Sequence, residues 1–137
     1  MTEYVKSKIS IVVAVLSALL GVSVLSGWYL HSTALIQVLP HFAPMQYNTA
    51  LGFLFSGLGL LAYLKNQYHV ALISGVLVTL LSSLTLSQYI FSFNLGIDQL
   101  FMDAYVTVKT SHLGRMAPNT ALCFILTGNR NYFIVIK

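Results

Sequence analysis

Two pairs of polar residues recur at a constant separation in this chain. His41 and His112 lie 71 residues apart, and so do Asn48 and Asn119; in each copy the histidine precedes the asparagine by seven residues. Imidazole and carboxamide groups both donate and accept hydrogen bonds, so these side chains suit a ligand that carries oxygen atoms. Two alternatives remain open for the histidines: axial ligation of a haem iron by the pair, or a zinc site completed by His31.

The asparagines belong to a longer repeated segment. "MQYNTALGFLFSG", residues 45–57, aligns without a gap with "MAPNTALCFILTG", residues 116–128, and seven of the thirteen positions are identical. Each asparagine stands where an apolar run begins, which is typical of a helix N-cap. The same position also suits a ligand site, because the unpaired N–H groups of a helix N-terminus attract oxygen atoms. The residue pattern favours neither interpretation decisively.

The composition places the chain in a lipid bilayer. Of its 137 residues, 57% are apolar and 7% are charged, whereas a soluble domain carries about 25% charged residues. The net charge of +4 comes from scattered basic residues, which argues against a nucleic-acid-binding surface. The single cysteine, Cys123, excludes a disulfide framework and a cysteine metal cluster.

Four apolar stretches predict four transmembrane helices: residues 9–30, 48–64, 69–93, and a poorer stretch that begins near residue 119 and is interrupted by "GNRN" at 128–131. Two outer segments, 34–39 and 104–109, are candidate short strands that pair with each other. The predicted fold is therefore a mainly α-helical integral membrane protein, in which four helices form two tandem repeats with short periplasmic strands. It is a single domain, 1–137, divided into repeat 1 (about 1–66) and repeat 2 (about 67–137).

The basic residues predict the orientation of these helices. With a cytoplasmic N-terminus, both termini lie inside, and five basic residues face the cytoplasm against two outside. The inner residues are Lys6, Lys8, Lys65, Arg130 and Lys137, and the outer ones are Lys109 and Arg115. Both polar helix entrances then lie on the outer side.

Other outer residues suggest further contacts. Trp28, Tyr29, Tyr47 and Tyr105 are typical of an aromatic belt at a membrane interface, and Trp28 or Tyr105 could flank a flat ligand ring. Arg115 is expected to pair with Asp98 or Asp103, or to meet a lipid phosphate. No motif for an enzyme active site is present, so the chain is predicted not to be an enzyme.

The segments "GIDQLF", "GRMAPNTALCFIL" and "PMQYNTALGFL" resemble the N-terminal membrane module of bacterial sensor histidine kinases and diguanylate cyclases. In that family a "PNTAL" helix entrance occurs twice, ahead of cytoplasmic output domains. The resemblance covers nearly the whole chain and implies a two-component-type input module in the bacterial inner membrane, similar to a membrane-embedded PAS-like quinone sensor. Tyr47 departs from the family pattern, since the second copy has Pro118 there, and "GNRNYFIVIK" replaces the apolar tail that leads to an output domain.

Together these observations predict a sensory domain that binds a lipophilic ligand near the periplasmic side of the bilayer. A quinone is the first candidate for this ligand. Its partners would be lipid, the small molecule, a fused or separate cytoplasmic kinase or cyclase domain, and a second copy if it is a homodimer, but not nucleic acid. The alternatives are a ligand-free assembly protein whose NTAL motifs only cap helices, a haem-binding membrane protein, and a small transporter. The predicted ligand contacts are His41, Met45, Asn48, His112, Met116, Asn119, Tyr105 and Trp28.

Overall fold

The computed structural model describes residues 3–37, 44–103 and 115–136, which are mainly helical and include no β-strand. The helices are α1 (Glu3–Leu30), α2 (Thr33–Ile36), α3 (Tyr47–Leu64), α4 (Tyr68–Phe91) and α5 (Pro118–Ile136). The four long helices agree in place with the four predicted apolar stretches.

Three of these helices are long and apolar enough to cross a membrane: Ser7–Leu30 within α1, then α3 and α4. In α1 only 17% of the most apolar window is buried inside the protein, so most of its leucine and valine side chains are exposed, as a lipid-facing helix requires. The fourth helix, α5, has 19 residues and is not among the three candidate spans. It nevertheless continues through residues 128–131 without a break, so "GNRN" reduces the apolarity of the helix and does not end it.

A tight turn joins α3 to α4 at residues 65–67. Asn66 adopts the left-handed conformation with φ 61°, and the N–H of Gln67 donates to the carbonyl of Ala62 at 2.7 Å. Asparagine tolerates this conformation better than most residues, and the turn satisfies carbonyls that the end of a helix leaves unpaired. Only four residues separate the predicted apolar stretches 48–64 and 69–93, and the turn between α3 and α4 is correspondingly short, so the two helices run antiparallel.

The helices pack as two hairpins, α1 with α3 and α4 with α5, and α3 also packs against α4. Each hairpin has a glycine in its second helix where the two helices approach closely. A Cβ at Gly57 would lie 2.6 Å from the carbonyl oxygen of Ala14, and one at Gly128 would lie 2.9 Å from the carbonyl oxygen of Gly75. Gly57 and Gly128 occupy the same position of the repeated segment, so the same small residue serves both close approaches.

A hydrogen bond at the other end of each hairpin follows the same pattern. The indole N–H of Trp28 donates to the carbonyl of Met45 at 2.9 Å, and the hydroxyl of Tyr89 donates to the carbonyl of Met116 at 2.9 Å. Trp28 and Tyr89 lie 61 residues apart, while Met45 and Met116 lie 71 apart. The difference arises because the α4–α5 connection is longer than the α1–α3 connection. In both hairpins an aromatic side chain of the first helix anchors the segment that enters the second.

The strand predicted at 34–39 is wrong where the structure describes it. Residues 33–36 form the single helical turn α2, closed by the N–H of Gln37 on the carbonyl of Thr33 at 2.8 Å. The turn buries Ile36, which is 4% exposed, in a cluster with Val24, Trp28 and Tyr47. Burial of one large apolar side chain outweighs the weak strand preference of this segment, since no partner strand lies within the described ranges. The second strand prediction, 104–109, lies outside the described residues.

Candidate functional site

Asn48 is a buried structural donor. It is the second residue of α3, whose N-cap position is held by Gln46, so the N-cap interpretation of Asn48 is wrong. The side chain is 1% exposed, and its Nδ2 donates to the carbonyl of Ile97 at 3.1 Å. Ile97 belongs to the connection after α4. Asn48 therefore fastens the entrance of α3 to a segment from the other half of the chain.

Asn119 occupies the matching position of α5 but a different environment. It is also the second residue of its helix, so it is not an N-cap either. Its side chain is exposed. The equivalence of the two asparagines in sequence is thus not repeated in their burial.

Three further predicted ligand contacts belong to the packed interior. Trp28 is 1% exposed and Met116 is fully buried, and Met45 packs partly buried against the cluster around Trp28. Burial of Trp28 and Tyr47 overturns their assignment to an aromatic belt at the interface, whereas Tyr29 is exposed as that assignment requires. Trp28 and Met116 therefore have almost no surface that a ligand could contact, and Met45 has only part of its surface.

The remaining predicted contacts, His41, Tyr105 and His112, lie outside the described residues. Within the ranges that the structure does describe, no three histidine, cysteine or acidic side chains come close enough to hold a metal ion.

An apolar groove of about 530 Å³ lies between α3 and α4 and is covered at one end by the connection that follows α4. We call it the α3–α4 groove. Leucine and aromatic side chains form its walls: Tyr47, Leu51 and Phe55 from α3, Leu77, Leu80, Leu81 and Leu84 from α4, and Ile97, Leu100 and Phe101 from the connection. A volume of this size falls within the range of small-molecule sites, and its lining suits a lipophilic molecule.

Among the residues that line the groove, Tyr47 carries a polar side-chain group, and it lies at the covered end beside Ile97 and Phe101. The hydroxyls of Tyr29 and Tyr47 lie 2.7 Å apart, so one donates a hydrogen bond to the other. The accepting hydroxyl keeps its own hydrogen, which it can donate to another acceptor. The ring of Phe101 stacks against that of Tyr47, with centroids 6.2 Å apart. The groove thus combines apolar walls with two aromatic rings and the hydroxyl of Tyr47 at its covered end.

The connection that covers the groove is fixed by a buried ion pair. Arg115 Nε lies 2.9 Å from Asp98 Oδ2, and both side chains are less than 10% exposed. Gln88 Nε2 donates to the other carboxylate oxygen at 3.1 Å, and the guanidinium lies over the ring of Tyr89, 5.2 Å from its centroid. Of the two acidic partners expected for Arg115, Asp98 is confirmed, while Asp103 is exposed.

Sequence reasoning missed Gln88 and the groove-lining residues of the connection. A glutamine near the end of an otherwise apolar helix was a visible signal, since polar side chains in membrane helices usually mark contacts. Leu100 and Phe101 carried no such signal, because apolar residues in a connection do not reveal which helices they cover.

No protein-family model matches the chain, and neither a curated protein nor a solved structure matches it.

Proposed function

We propose that the chain is a membrane sensory domain that binds a lipophilic molecule in the α3–α4 groove. One observation carries the proposal: the groove is apolar along its length, and its covered end is built by the same connection that holds Arg115, at the entrance of α5. The ligand site and the entrance of α5 are therefore both formed by the connection between α4 and α5. This placement differs from the site expected between the two NTAL entrances, because Asn48 is internally bonded and Asn119 is exposed.

A quinone fits the chemistry of the groove better than a plain hydrocarbon. Its isoprenoid or alkyl tail would lie among the leucines of α3 and α4, and its flat ring would lie at the aromatic end beside Tyr47 and Phe101. A quinone carbonyl accepts the hydrogen that the Tyr29–Tyr47 pair has free. A hydroquinone hydroxyl donates to the same oxygens, so both redox forms find a partner there.

Signal transmission follows from the connection between α4 and α5. Ile97, Leu100 and Phe101 line the groove, and Asp98 between them holds Arg115 by the buried ion pair. A ligand that displaces this segment shifts the start of α5, whose other end leads toward a cytoplasmic kinase or cyclase domain. The ligand can bias the packing only by binding its two arrangements with different affinity.

The proposal includes an architecture in the bacterial inner membrane: four spans, of which α5 is the fourth, two tandem repeats, and both termini in the cytoplasm. The distribution of basic residues supports the orientation. The repeat is supported by the shared contacts of Gly57 and Gly128 and by the matching hydrogen bonds of Trp28 and Tyr89.

A second candidate function is a ligand-free membrane assembly protein. The bond from Asn48 to the carbonyl of Ile97 favours it, because that bond gives the first NTAL motif a purely structural role. This alternative predicts that the groove holds only lipid tails and that no compound is retained specifically.

Titration of a short-chain, water-soluble quinone separates the two functions. Trp28 reports on the site by fluorescence quenching, because it packs in the same cluster as Tyr47. Leu84→Phe fills the groove and Tyr47→Phe removes the hydroxyl at its end. Leu58→Phe is the matched control, since Leu58 is an exposed residue of α3 that does not line the groove.

We expect saturable quenching in the wild type and in the control. Tyr47→Phe loses one hydrogen bond of about 0.5–1.5 kcal/mol, so its affinity falls roughly two- to twelve-fold. Leu84→Phe binds more weakly as well, because its ring occupies ligand volume. Four superimposable curves, or no saturable quenching in any protein, contradict the groove and favour the assembly protein. His112→Phe and Asn119→Ser, titrated in parallel, test the site first expected at the NTAL entrances.

A further inference from the structure

A second, polar pocket lies at the end of α4, apart from the α3–α4 groove. Its volume is about 280 Å³, and its lining residues are Gln88, Tyr89, Ser92, Phe93, Asn94 and Arg115. We call it the polar pocket. Because α4 is a candidate span that ends at Phe91, the pocket lies at the depth where lipid headgroups meet a membrane protein.

The guanidinium of Arg115 has unused hydrogen-bonding capacity in this pocket. Its Nε–H is bonded to Asp98, and an Nη2–H makes a longer contact of 3.5 Å with the oxygen of Gln88. Arginine carries five N–H donors, so three remain without a partner among the described residues. Nη1 keeps both of its donors and Nη2 keeps one. The edge that these two nitrogens form is one with which arginine binds two oxygens of a phosphate or carboxylate at once.

The surroundings hold this donor edge in place. The Arg115 side chain is 5% exposed, and the Tyr89 ring lies against the guanidinium plane. Ser92 and Asn94 add polar groups to the wall. The side-chain oxygen of Asn94 accepts the N–H of Gly96 at 2.8 Å, which leaves its amide nitrogen as a donor. A buried arginine with spare donors, flanked by a hydroxyl and an amide, is suited to an anionic oxygen ligand.

We propose that the polar pocket binds the phosphate oxygens of a membrane phospholipid headgroup through the Nη1–Nη2 edge of Arg115. Asp98 neutralises the charge of the arginine without occupying this edge, so the site selects a singly charged phosphodiester by paired hydrogen bonds more than by net charge. Free inorganic phosphate presents the same kind of oxygen atoms, so it is the alternative ligand for this site.

Native mass spectrometry of the full chain in a maltoside detergent, which contains no phosphate, tests the site. The probe is dihexanoyl phosphatidylglycerol, and dihexanoylglycerol, which lacks the phosphate, is the matched lipid. Asn94→Asp places a negative charge in the pocket yet keeps the acceptor for Gly96. Asn66→Asp is its control, being the same substitution at an exposed asparagine at the opposite end of α4. Arg115→Lys keeps the charge and removes the donor fork.

Phosphatidylglycerol is expected to bind wild type and Asn66→Asp equally, and to bind Asn94→Asp and Arg115→Lys about tenfold more weakly, since a bidentate charged hydrogen bond is lost or opposed. Dihexanoylglycerol should show no such dependence on the variant. Displacement of the lipid by an equal concentration of inorganic phosphate supports the site with free phosphate as its ligand, and failure to displace it supports the lipid headgroup.

Equal binding of phosphatidylglycerol to all four proteins overturns the proposal, and so does equal retention of both lipids by the wild type. Should Arg115→Lys fail to fold because the pair with Asp98 is altered, the comparison of Asn94→Asp with Asn66→Asp decides alone. The side-chain hydrogen bonds of these two asparagines are made with Gly96 and Tyr68, so neither side chain is hydrogen bonded to Asp98 or Arg115.

Discussion

Asp98 and Arg115 form an ion pair with 2.9 Å between carboxylate and guanidinium, and their side chains are only 8% and 5% exposed. The pair joins the segment that follows α4 to the residue three positions before α5. Removing two charges from water is costly, and the cost is recovered only when both partners are present and further hydrogen bonded. Gln88 supplies such a bond to Asp98.

The first prediction concerns this pair. Asp98→Asn preserves the shape of the side chain and leaves the buried guanidinium without a counter-charge, so the free energy of unfolding should fall by about 3 kcal/mol. Asp103→Asn is the control, because Asp103 is exposed, and it should change stability by less than about 0.5 kcal/mol. Chemical unfolding in detergent, followed by circular dichroism, measures both. Similar losses in the two variants would show that the pair contributes little.

The two NTAL asparagines should respond differently to one substitution. Asn48→Asp removes the donor to Ile97 and sets a carboxylate against that carbonyl, so we expect a loss of about 1–3 kcal/mol or more. Asn119→Asp lies on the exposed face and should be nearly neutral in stability. Thermal unfolding of both variants provides the measurement. If neither substitution changes stability, the hydrogen bond from Asn48 to Ile97 is wrong, and helix capping becomes the better explanation of both asparagines.

Gly57 and Gly128 should each resist replacement by alanine. The new methyl group would press on the carbonyl of Ala14 in the first case and on that of Gly75 in the second. Overpacking of this kind costs about 1–3 kcal/mol. Ser23→Ala, at an exposed position of α1, is the control for added apolarity. Unchanged thermal stability in both glycine variants would indicate wider helix spacing than the structure shows.

The membrane topology is open to cysteine labelling. In a Cys123→Ser background, a cysteine at Asp103 should react with an impermeant thiol reagent added to intact cells, and one at Asn66 should not. Both positions are exposed, so accessibility within the protein does not explain a difference between them. Labelling at Asn66 from outside would reverse the predicted orientation.

The sequence alone was sufficient to predict where the long helices lie. Apolar runs of membrane-spanning length dictate helical segments, because a backbone in hydrocarbon must satisfy its own hydrogen bonds. The predicted stretches 9–30, 48–64 and 69–93 accordingly lie within a few residues of α1, α3 and α4. The four residues between the stretches 48–64 and 69–93 likewise left room only for a short connection, and the structure forms it as a tight turn at residues 65–67.

The environment of each polar side chain was decided only by tertiary structure. Asn48 and Asn119 stand in nearly identical local sequences, yet one is buried and the other exposed, because the connection after α4 folds back over the entrance of α3 and no described segment does the same for α5. The choice of Asp98 over Asp103 as the partner of Arg115 depends on the same connection. Such contacts join residues that are far apart in the chain, so no local pattern encodes them. Local sequence therefore determined where helices form, and the path of one connection determined where the groove, the ion pair and the polar pocket lie.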